Sequence, residues 1–175
     1  QHLYDWIQLN QPDVIAIQET KTTDDNFPAG FVDDLGYHCY FYGQKSYNGV
    51  AFLTKDNLAS SVKTDILNMG DIQARTISLV YQNTLIVNVY VPNGSSLDSD
   101  KYPYKLKFLS ALHGYLKAQQ QNYSNIIVLG DFNIAPEDID CHDPEKWQES
   151  TIASPEVRES LIIFRHLGLQ TLLGN

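Results

Sequence analysis

The apolar residues of this chain lie in short runs of strand length that are separated by turn residues. Six runs share this character: residues 13–18, 37–43, 49–55, 74–81, 84–91 and 126–133. Apolar or β-branched runs of this length, bounded by polar residues, predict β-strands. None of them reaches the ~20 consecutive apolar residues of a membrane-spanning helix, so the chain is predicted not to span a membrane.

The connections between these runs predict two hairpins. Residues 44–48 join the second run to the third, and Gln82 with Asn83 joins the fourth to the fifth. Short polar loops of this kind are typical of antiparallel neighbours. The first run (DVIAIQ) and the last run (IIVLGDFN) are nearly continuous in apolar character, which predicts strands that are covered on both faces.

Three other segments show the period of a helix. The first precedes Pro12, the second spans residues 101–121, and the third spans residues 155–167. Ser154 and Pro155 supply an N-cap and a first-turn proline to the third helix. Helices interleaved with hairpins and buried strands predict packed α/β layers around mixed sheets. The sequence shows no repeats and no low-complexity linkers, so the 175 residues are predicted to form one domain. The apolar period of a helix is already present at the first residues, and the domain is therefore interpreted as truncated.

Charge argues both against and for a nucleic-acid partner. Twelve Lys and Arg residues against twenty-one Asp and Glu residues give a net charge of −9, which disfavours binding by broad phosphate neutralisation. Residues 131–159 hold nine of the acids and only two bases, so a basic face elsewhere stays open, with Lys101, Lys105 and Lys107 as one small cluster of candidates. Two cysteines imply no disulfide framework, and the cytoplasm is the predicted compartment.

The last strand-length run ends in Gly130, Asp131, Phe132 and Asn133. Side chains alternate along a strand, so Asp131 and Asn133 are predicted to share one face while Phe132 points to the other. A carboxylate can orient or deprotonate a water, and an amide can donate to a developing oxyanion. The alternative is an Asx turn in which both side chains satisfy backbone groups.

Two further runs end in groups of the same kind. Asn88 and Tyr90 are predicted to share a face of the fifth run, and a tyrosine hydroxyl can donate to a phosphoryl oxygen without adding charge. Glu19 follows the first run, and a carboxylate in this position is a potential Mg²⁺ ligand. The structural alternatives are a half-buried aromatic Tyr90 and a surface Glu19 that pairs with Lys21. The sequence contains no phosphate-cradling glycine loop, HExxH motif or Cys/His zinc spacing, which disfavours P-loop and zinc-hydrolase mechanisms.

Five segments occur in an order that is specific as a set: IQETK (17–21), YGQKSYNGVAFLTK (42–55), NVYVPNG (88–94), KYP (101–103) and IIVLGDFN (126–133). In these segments the chain resembles the exodeoxyribonuclease III family, which belongs to the endonuclease/exonuclease/phosphatase superfamily. The resemblance implies a DNase I-like α/β fold, a layered sandwich of two packed mixed β-sheets flanked by helices. It also implies a single domain over residues 1–175 that is truncated at both termini.

The resemblance assigns roles to the residues that match the family motifs. It implies that Glu19 ligates Mg²⁺ or Mn²⁺ and that Asp131 positions or activates the attacking water. It further implies that Asn133 hydrogen-bonds the scissile phosphate and that Tyr90 stabilises the charge of the transition state.

The resemblance also implies two phosphate-binding cations, and it leads us to expect segments that the sequence lacks. Lys101 matches the family lysine that approaches substrate phosphate, and Arg75 is a second implied phosphate contact. For both, the alternative is a solvated surface cation, and for Arg75 this alternative is preferred. The family also leads us to expect an Asn-bearing first strand, a Trp-containing loop, a metal-site Asp and a closing Asp–His pair, and the 175 residues lack them.

The predicted function is that of a metal-dependent DNA repair nuclease that hydrolyses phosphodiesters. It would act as a 3′ to 5′ exonuclease on duplex DNA and as an endonuclease at abasic sites. The predicted partner is duplex DNA, including DNA with abasic sites. The protein is predicted to be a monomer and to have no membrane partner. Two alternatives stay open: a phosphatase or sphingomyelinase-type phosphodiesterase of the same superfamily, and a non-catalytic fragment that binds nucleic acid or a protein.

Overall fold

The computed structural model describes residues 2–169, and their contacts divide the chain into two compact units. The first unit comprises the chain up to Tyr90 together with Asn125–Asp131. The second comprises Val91–Ser124 and the residues from Phe132 onward. The interpretation as one domain stays a prediction.

The first unit holds the strands. Its helix and strands are α1 (His2–Asn10), β1 (Val14–Gln18), β2 (His38–Tyr42), β3 (Val50–Thr54), β4 (Lys63–Thr64), β5 (Thr76–Tyr81), β6 (Thr84–Tyr90) and β7 (Asn125–Asp131). Short 3-10 helices lie at Asp24–Asn26, Ala29–Leu35 and Ala59–Ser61. The six predicted strands are present to within two residues at each end. The strand β4 was not predicted because two exposed residues carry no apolar period.

The strands form two sheets. The first has the order β1-β3-β2 and is antiparallel, and the second has the order β4-β5-β6-β7. In the second sheet β6 and β7 run parallel while the other pairs are antiparallel. The predicted α/β fold with two sheets is confirmed, and among the described strands the parallel pairing is confined to the second sheet.

Both predicted hairpins are present as antiparallel pairs, β2 with β3 and β5 with β6. Gln82 and Asn83 have φ values of 46° and 64°. These left-handed conformations are the ones that a two-residue type I′ turn requires. The turn sets the register in which Tyr81 is paired with Thr84.

The two sheets pack face to face through an apolar layer. Its buried members come from β3, β5 and β6: Val50, Phe52, Ile77, Leu79 and Ile86. Alternation along β3 sends Leu53 to the opposite face of the first sheet. There it joins a second buried cluster with Ile7 of α1, Val32 and Tyr37.

Two strands are less buried than their apolar character predicts. β1 has apolar neighbours on both faces, yet its five residues are half-buried because β1 is an outer strand of the described sheet. β7 is likewise the last strand of its described sheet, and Ile127 is 42% exposed. Cover on both faces is therefore confirmed for β1, although its residues are only half-buried, and burial of the whole strand was wrong for β7.

The second unit is helical in its described residues. It contains α2 (Lys101–Gln119), α3 (Pro144–Trp147), α4 (Pro155–His166) and a 3-10 helix at Asp138–Asp140. Both long predicted helices are present and end within two residues of their predicted ends. α2 and α4 pack against each other, and the rings of His113 and Phe164 lie 6.2 Å apart. Within residues 2–169, no helix combines the length and the apolar character that crossing a membrane requires.

Gly130 is required by the close approach of β7 to β6. Its φ is +137°, and a Cβ at this position would lie 1.9 Å from the carbonyl oxygen of Val89. We expect Gly130→Ala to lower the free energy of unfolding by about 2–3 kcal/mol, because the added methyl group forces apart two paired backbones. Urea unfolding measures this change.

A second glycine serves as the control for this substitution. Gly114 lies in α2, and a Cβ there meets no atom within 4 Å. Gly114→Ala should therefore raise the free energy of unfolding by up to about 1 kcal/mol, the helix propensity difference. Equal stability of Gly130→Ala and the wild-type protein would contradict the close approach described above.

Candidate active site

Glu19 is the first residue after β1 and adopts a left-handed conformation, with φ 56°. The residues that follow it are tied to the start of β3. The amide of Thr20 donates to the carbonyl of Gly49 at 3.3 Å, and the amide of Lys21 donates to that of Asn48 at 2.9 Å. A Cβ at Gly49 would lie 2.0 Å from Thr20 Oγ1, so only glycine permits this approach. The turn therefore fixes the direction in which the Glu19 carboxylate leaves the sheet.

The Glu19 carboxylate pairs with Lys21. The two charged groups are 2.7 Å apart, and their side chains are 41% and 57% exposed, respectively. The hydrogen bond from Lys21 lowers the pKa of Glu19 below its ordinary value, and a hydrogen bond from Tyr90 and the charge of Arg75 act in the same direction. Glu19 is therefore ionised at neutral pH. The Glu19–Lys21 pair, which was the structural alternative to a metal ligand, is present, and it coexists with the contacts to Tyr90 and Arg75 that a simple surface pair does not have.

This pair gives a testable pH dependence. Lys21→Gln removes the positive charge of the group whose hydrogen bond is the largest cause of the lowered pKa of Glu19, so we expect the pKa of Glu19 to rise toward its ordinary value. The rise should be incomplete, because Tyr90 and Arg75 still favour the charged carboxylate. A carbon-detected NMR titration of the Glu19 carboxyl measures the shift.

Lys63→Gln is the matched control, because Lys63 is an exposed residue of β4. It should leave the titration of Glu19 unchanged. A pKa of Glu19 that is the same in Lys21→Gln as in the wild-type protein would show that the ion pair does not set the charge of this carboxylate.

Tyr90 ends β6 and carries Arg75 on its ring. The guanidinium carbon of Arg75 lies 4.9 Å from the ring centroid, a cation–π distance. Arg75 Nη1 donates to the carbonyl of Tyr90 at 3.1 Å, and Arg75 Nε donates to Gln73 Oε1 at 2.8 Å. The preferred interpretation of Arg75 as a solvated surface cation was wrong, because the tyrosine ring and two acceptors hold this half-buried side chain.

The Tyr90 hydroxyl is neutral and bonded to Glu19. Burial raises the pKa of Tyr90 first, the charge of Glu19 and the hydrogen bond to it raise the pKa further, and Arg75 opposes them. The phenol therefore stays protonated through the neutral range and remains a hydrogen-bond donor. An uncharged donor beside a cation can stabilise negative charge that develops nearby.

Asp131 ends β7 and is the register partner of Tyr90 in the parallel pairing of β6 with β7. Its side chain is half-buried, and its charge also contributes to the raised pKa of Tyr90. The first unit thus brings together three predicted site residues on three strand ends, Glu19, Tyr90 and Asp131. Arg75 accompanies them.

Asn88 forms the support beneath this group. It is fully buried, and its amide donates to the carbonyls of Ile17 and Ala51, both at 3.0 Å. Its oxygen accepts a hydrogen bond of 2.7 Å from Gln18. The predicted shared face of Asn88 and Tyr90 is consistent with these bonds, since both side chains meet the first sheet. Sequence reasoning missed the role of Gln18, because a glutamine at a strand end carries no distinctive signal.

Asn133 belongs to the second unit. Because β7 ends at Asp131 and Asn133 has φ 50°, the strand does not continue to Asn133, and the prediction that alternation places both residues on one face was wrong. Asn133 Nδ2 donates to the carbonyl of Val91 at 2.9 Å, and Asn133 Oδ1 accepts from Asn93 Nδ2 at 3.3 Å. These bonds set the orientation of the amide.

The predicted lysine cluster does not form one basic surface. Lys101 is exposed at the start of α2, and Lys107 is exposed on the same helix. Lys105 is fully buried, and its ammonium donates to backbone carbonyls. The prediction was wrong for Lys105 because sequence spacing does not reveal which lysine of a helix faces buried acceptors.

The donor groups of the first unit suit one class of metal. Among residues 2–169, no three His, Cys, Asp or Glu side chains are grouped so that they could hold a metal ion. The described residues therefore do not match a zinc site in which the protein supplies every ligand. Mg²⁺ is usually held by one or two carboxylates, with water and phosphate oxygens completing its shell. The ionised, accessible Glu19 carboxylate fits that requirement.

Comparison with protein families gives a match over almost the whole chain. The sequence profile described as the endonuclease/exonuclease/phosphatase family matches residues 1–172. Among curated proteins, exodeoxyribonuclease III of Haemophilus influenzae is 36% identical over 139 residues, which are 77% of this chain and 52% of that protein. The chain therefore spans about half the length of this relative.

Solved structures share the fold. An AP endonuclease from Archaeoglobus fulgidus has a TM-score of 0.87 and 31% identity, and the match covers 94% of this chain and 64% of that one. A 3′ phosphatase, NExo from Neisseria, was solved with a product DNA hairpin. It has a TM-score of 0.88 and 36% identity, and the match covers 95% of this chain and 65% of that one.

Proposed function

Because the chain belongs to the endonuclease/exonuclease/phosphatase family, we propose that the protein is a metal-dependent nuclease of DNA repair. Its reaction is hydrolysis of DNA phosphodiesters by water. Two activities are proposed, 3′ to 5′ exonuclease action on duplex DNA and cleavage at abasic sites. Family membership agrees with the resemblance that the strand-end motifs indicated.

One observation carries this proposal. Glu19, Tyr90 and Asp131 stand at the ends of three strands of one compact unit, and Arg75 lies against the tyrosine ring. A carboxylate that remains ionised, a phenol that remains protonated and a guanidinium are groups that can serve phosphate-ester hydrolysis, by holding a cation and by stabilising charge on phosphoryl oxygens. Two carboxylates can divide the work between binding a cation and orienting a water.

The proposed metal is Mg²⁺ or Mn²⁺, with Glu19 as its ligand. When bound, such an ion polarises a phosphoryl oxygen and neutralises developing charge. Lys21 bonds Oε2 of the same carboxylate at 2.7 Å, so a cation at Glu19 would share this carboxylate with Lys21 or compete with it.

The other side chains receive roles by their chemistry. Asp131 orients the attacking water and accepts its proton. The single O–H of Tyr90, which bonds Glu19 in the free protein, would turn to a phosphoryl oxygen when substrate is bound. Arg75 favours the negative charge of that oxygen. In the second unit, Asn133 and Lys101 are proposed to hydrogen-bond and pair with substrate phosphates. Duplex DNA is the proposed partner, and the protein is proposed to act as a monomer.

The test is a substrate panel with the full-length protein and Mg²⁺. It contains a duplex with one abasic site, the same duplex without it, a recessed 3′ end, an inositol polyphosphate and sphingomyelin. We expect cleavage of the abasic duplex and shortening of the recessed 3′ end, and EDTA should abolish both. Turnover of only the inositol or lipid substrate would place the protein in another branch of the family. Turnover of no substrate would support the non-catalytic alternative.

A second DNA substrate is favoured by one comparison. The Neisseria structure, 36% identical to this chain, is described as a 3′ phosphatase. Release of phosphate from a 3′ terminus uses the same attack of water on phosphorus and places the same groups around the reacting oxygen. A duplex with a 3′ phosphate therefore belongs in the panel, and its rate relative to the abasic duplex ranks the two activities.

A further inference from the structure

A buried lysine joins three segments of the second unit. Lys105 lies in α2, and none of its surface is exposed. Its ammonium donates to the carbonyls of Asn93 at 3.2 Å, Asn133 at 2.6 Å and Thr151 at 2.7 Å. The three carbonyls belong to segments that are separated by many residues in sequence, so this one side chain connects them.

The chemistry of the ammonium explains why it is tolerated in this position. A lysine carries three N–H donors, and three acceptors are provided. A buried charge is costly unless polar groups compensate for it, and carbonyl dipoles that converge on it do so. The lysine side chain thus replaces the water that would otherwise have to satisfy these carbonyls.

The surroundings of Lys105 are tightly packed. Gly94 has φ +95°, and a Cβ there would lie 3.0 Å from Thr151 Cβ and 3.3 Å from Lys105 Cδ. The segment after Asn93 therefore lies directly on the lysine stem. This packing restricts the movement of the lysine stem.

Two of the three carbonyls belong to residues whose side chains bond each other. Asn93 Nδ2 donates to Asn133 Oδ1 at 3.3 Å, and Asn133 Nδ2 donates to the carbonyl of Val91 at 2.9 Å. Asn133 also has a left-handed backbone, with φ 50°, a conformation that asparagine tolerates and that its surroundings must maintain. Lys105 holds the backbone of both asparagines at once.

We infer that Lys105 is a positioning residue. By bonding the backbone carbonyl of Asn133, it sets the orientation of the side-chain amide of Asn133 without contacting substrate itself. This inference rests on the proposed function, in which Asn133 hydrogen-bonds the scissile phosphate. Small displacements of a group that meets the reacting phosphate slow the reaction. Lys105 therefore acts on the rate of the chemical step through Asn133.

The test is a double-mutant cycle in the full-length protein. We expect Lys105→Met to lower kcat on the abasic duplex by about tenfold, with little change in KM, because the amide is misplaced while the rest of the DNA contact remains. In an Asn133→Ala background, Lys105→Met should change kcat by less than about twofold. Lys107→Met, an exposed lysine on the same helix, is the control and should leave kcat unchanged.

A second measurement does not depend on activity. The side-chain amide of Asn133 gives an NMR signal that is assigned by its loss in Asn133→Ala. We expect its hydrogens to exchange faster in Lys105→Met than in the wild-type protein. If the wild-type protein cuts no DNA, the proposed function fails, while this measurement still reports whether Lys105 orients the amide.

A second variant keeps the test decisive if Lys105→Met does not fold. Lys105→Arg keeps N–H donors for the carbonyls but has a larger, planar head group, and it takes the place of Lys105→Met in the same cycle. An equal loss of kcat with and without the Asn133 amide would overturn the inference. So would a folded variant with unchanged kcat and unchanged amide exchange.

Discussion

Asp131→Asn should lower the rate of phosphodiester cleavage by about 10³-fold, the effect typical of losing a general base. Asparagine has nearly the same shape as aspartate, so the end of β7 and its pairing with Tyr90 should be retained. The amide cannot accept a proton from the attacking water, however. Single-turnover cleavage of a duplex with one abasic site measures the chemical step directly.

The control for this variant is Asp56→Asn, which makes the same change of charge. Asp56 is exposed and lies just after β3. The end of β3 is paired with Val14, at the opposite end of β1 from Gln18. It should cut at the wild-type rate. A rate within tenfold of the wild-type rate in Asp131→Asn would exclude Asp131 as the group that activates water.

Glu19→Gln should have the second largest effect, a loss of about 10²–10³-fold at moderate Mg²⁺ concentration, because the proposed metal loses its carboxylate. The amide keeps the size of the side chain but removes its negative charge. The loss should shrink as the Mg²⁺ or Mn²⁺ concentration rises, since weaker binding is overcome by mass action. A titration of activity against each metal separates lost affinity from lost chemistry.

Glu145→Gln is the matched control, because Glu145 is an exposed residue of the short helix α3. Its metal titration should coincide with that of the wild-type protein. A wild-type metal titration in Glu19→Gln would mean that another group binds the ion. The nuclease proposal would then survive with a different ligand, since the Asp131→Asn result is independent of it.

The fold could be predicted from the sequence where the signal is local. The two-residue turn at Gln82 and Asn83 and the apolar period of α2 were sufficient to place β5, β6 and that helix. Burial was harder to predict, because it depends on strand order. β7 has the apolar run of a covered strand but lies last in its described sheet, and no residue within the run carries that information.

Candidate site residues could be predicted where a polar residue stands at the end of an apolar strand. Glu19, Tyr90 and Asp131 stood out for this reason, and the first unit brings them together. The side of the strand on which Asn133 lies was predicted wrongly, because its left-handed backbone ends the alternation of side chains. The sequence GDFN does not indicate a left-handed residue. Lys105 was mistaken for a surface cation, because its three acceptors come from distant segments of the chain.

The buried Asn88 amide has a consequence for heat inactivation. Its hydrogen bonds join the carbonyl of Ile17, just before Glu19, to the strand that ends in Tyr90. Warming that separates the sheets should therefore release the strand ends that carry Glu19 and Tyr90 in one event, and the proposed activity and the tertiary structure should disappear at the same temperature. Substitutions that tighten the apolar layer around this amide should therefore raise both temperatures together.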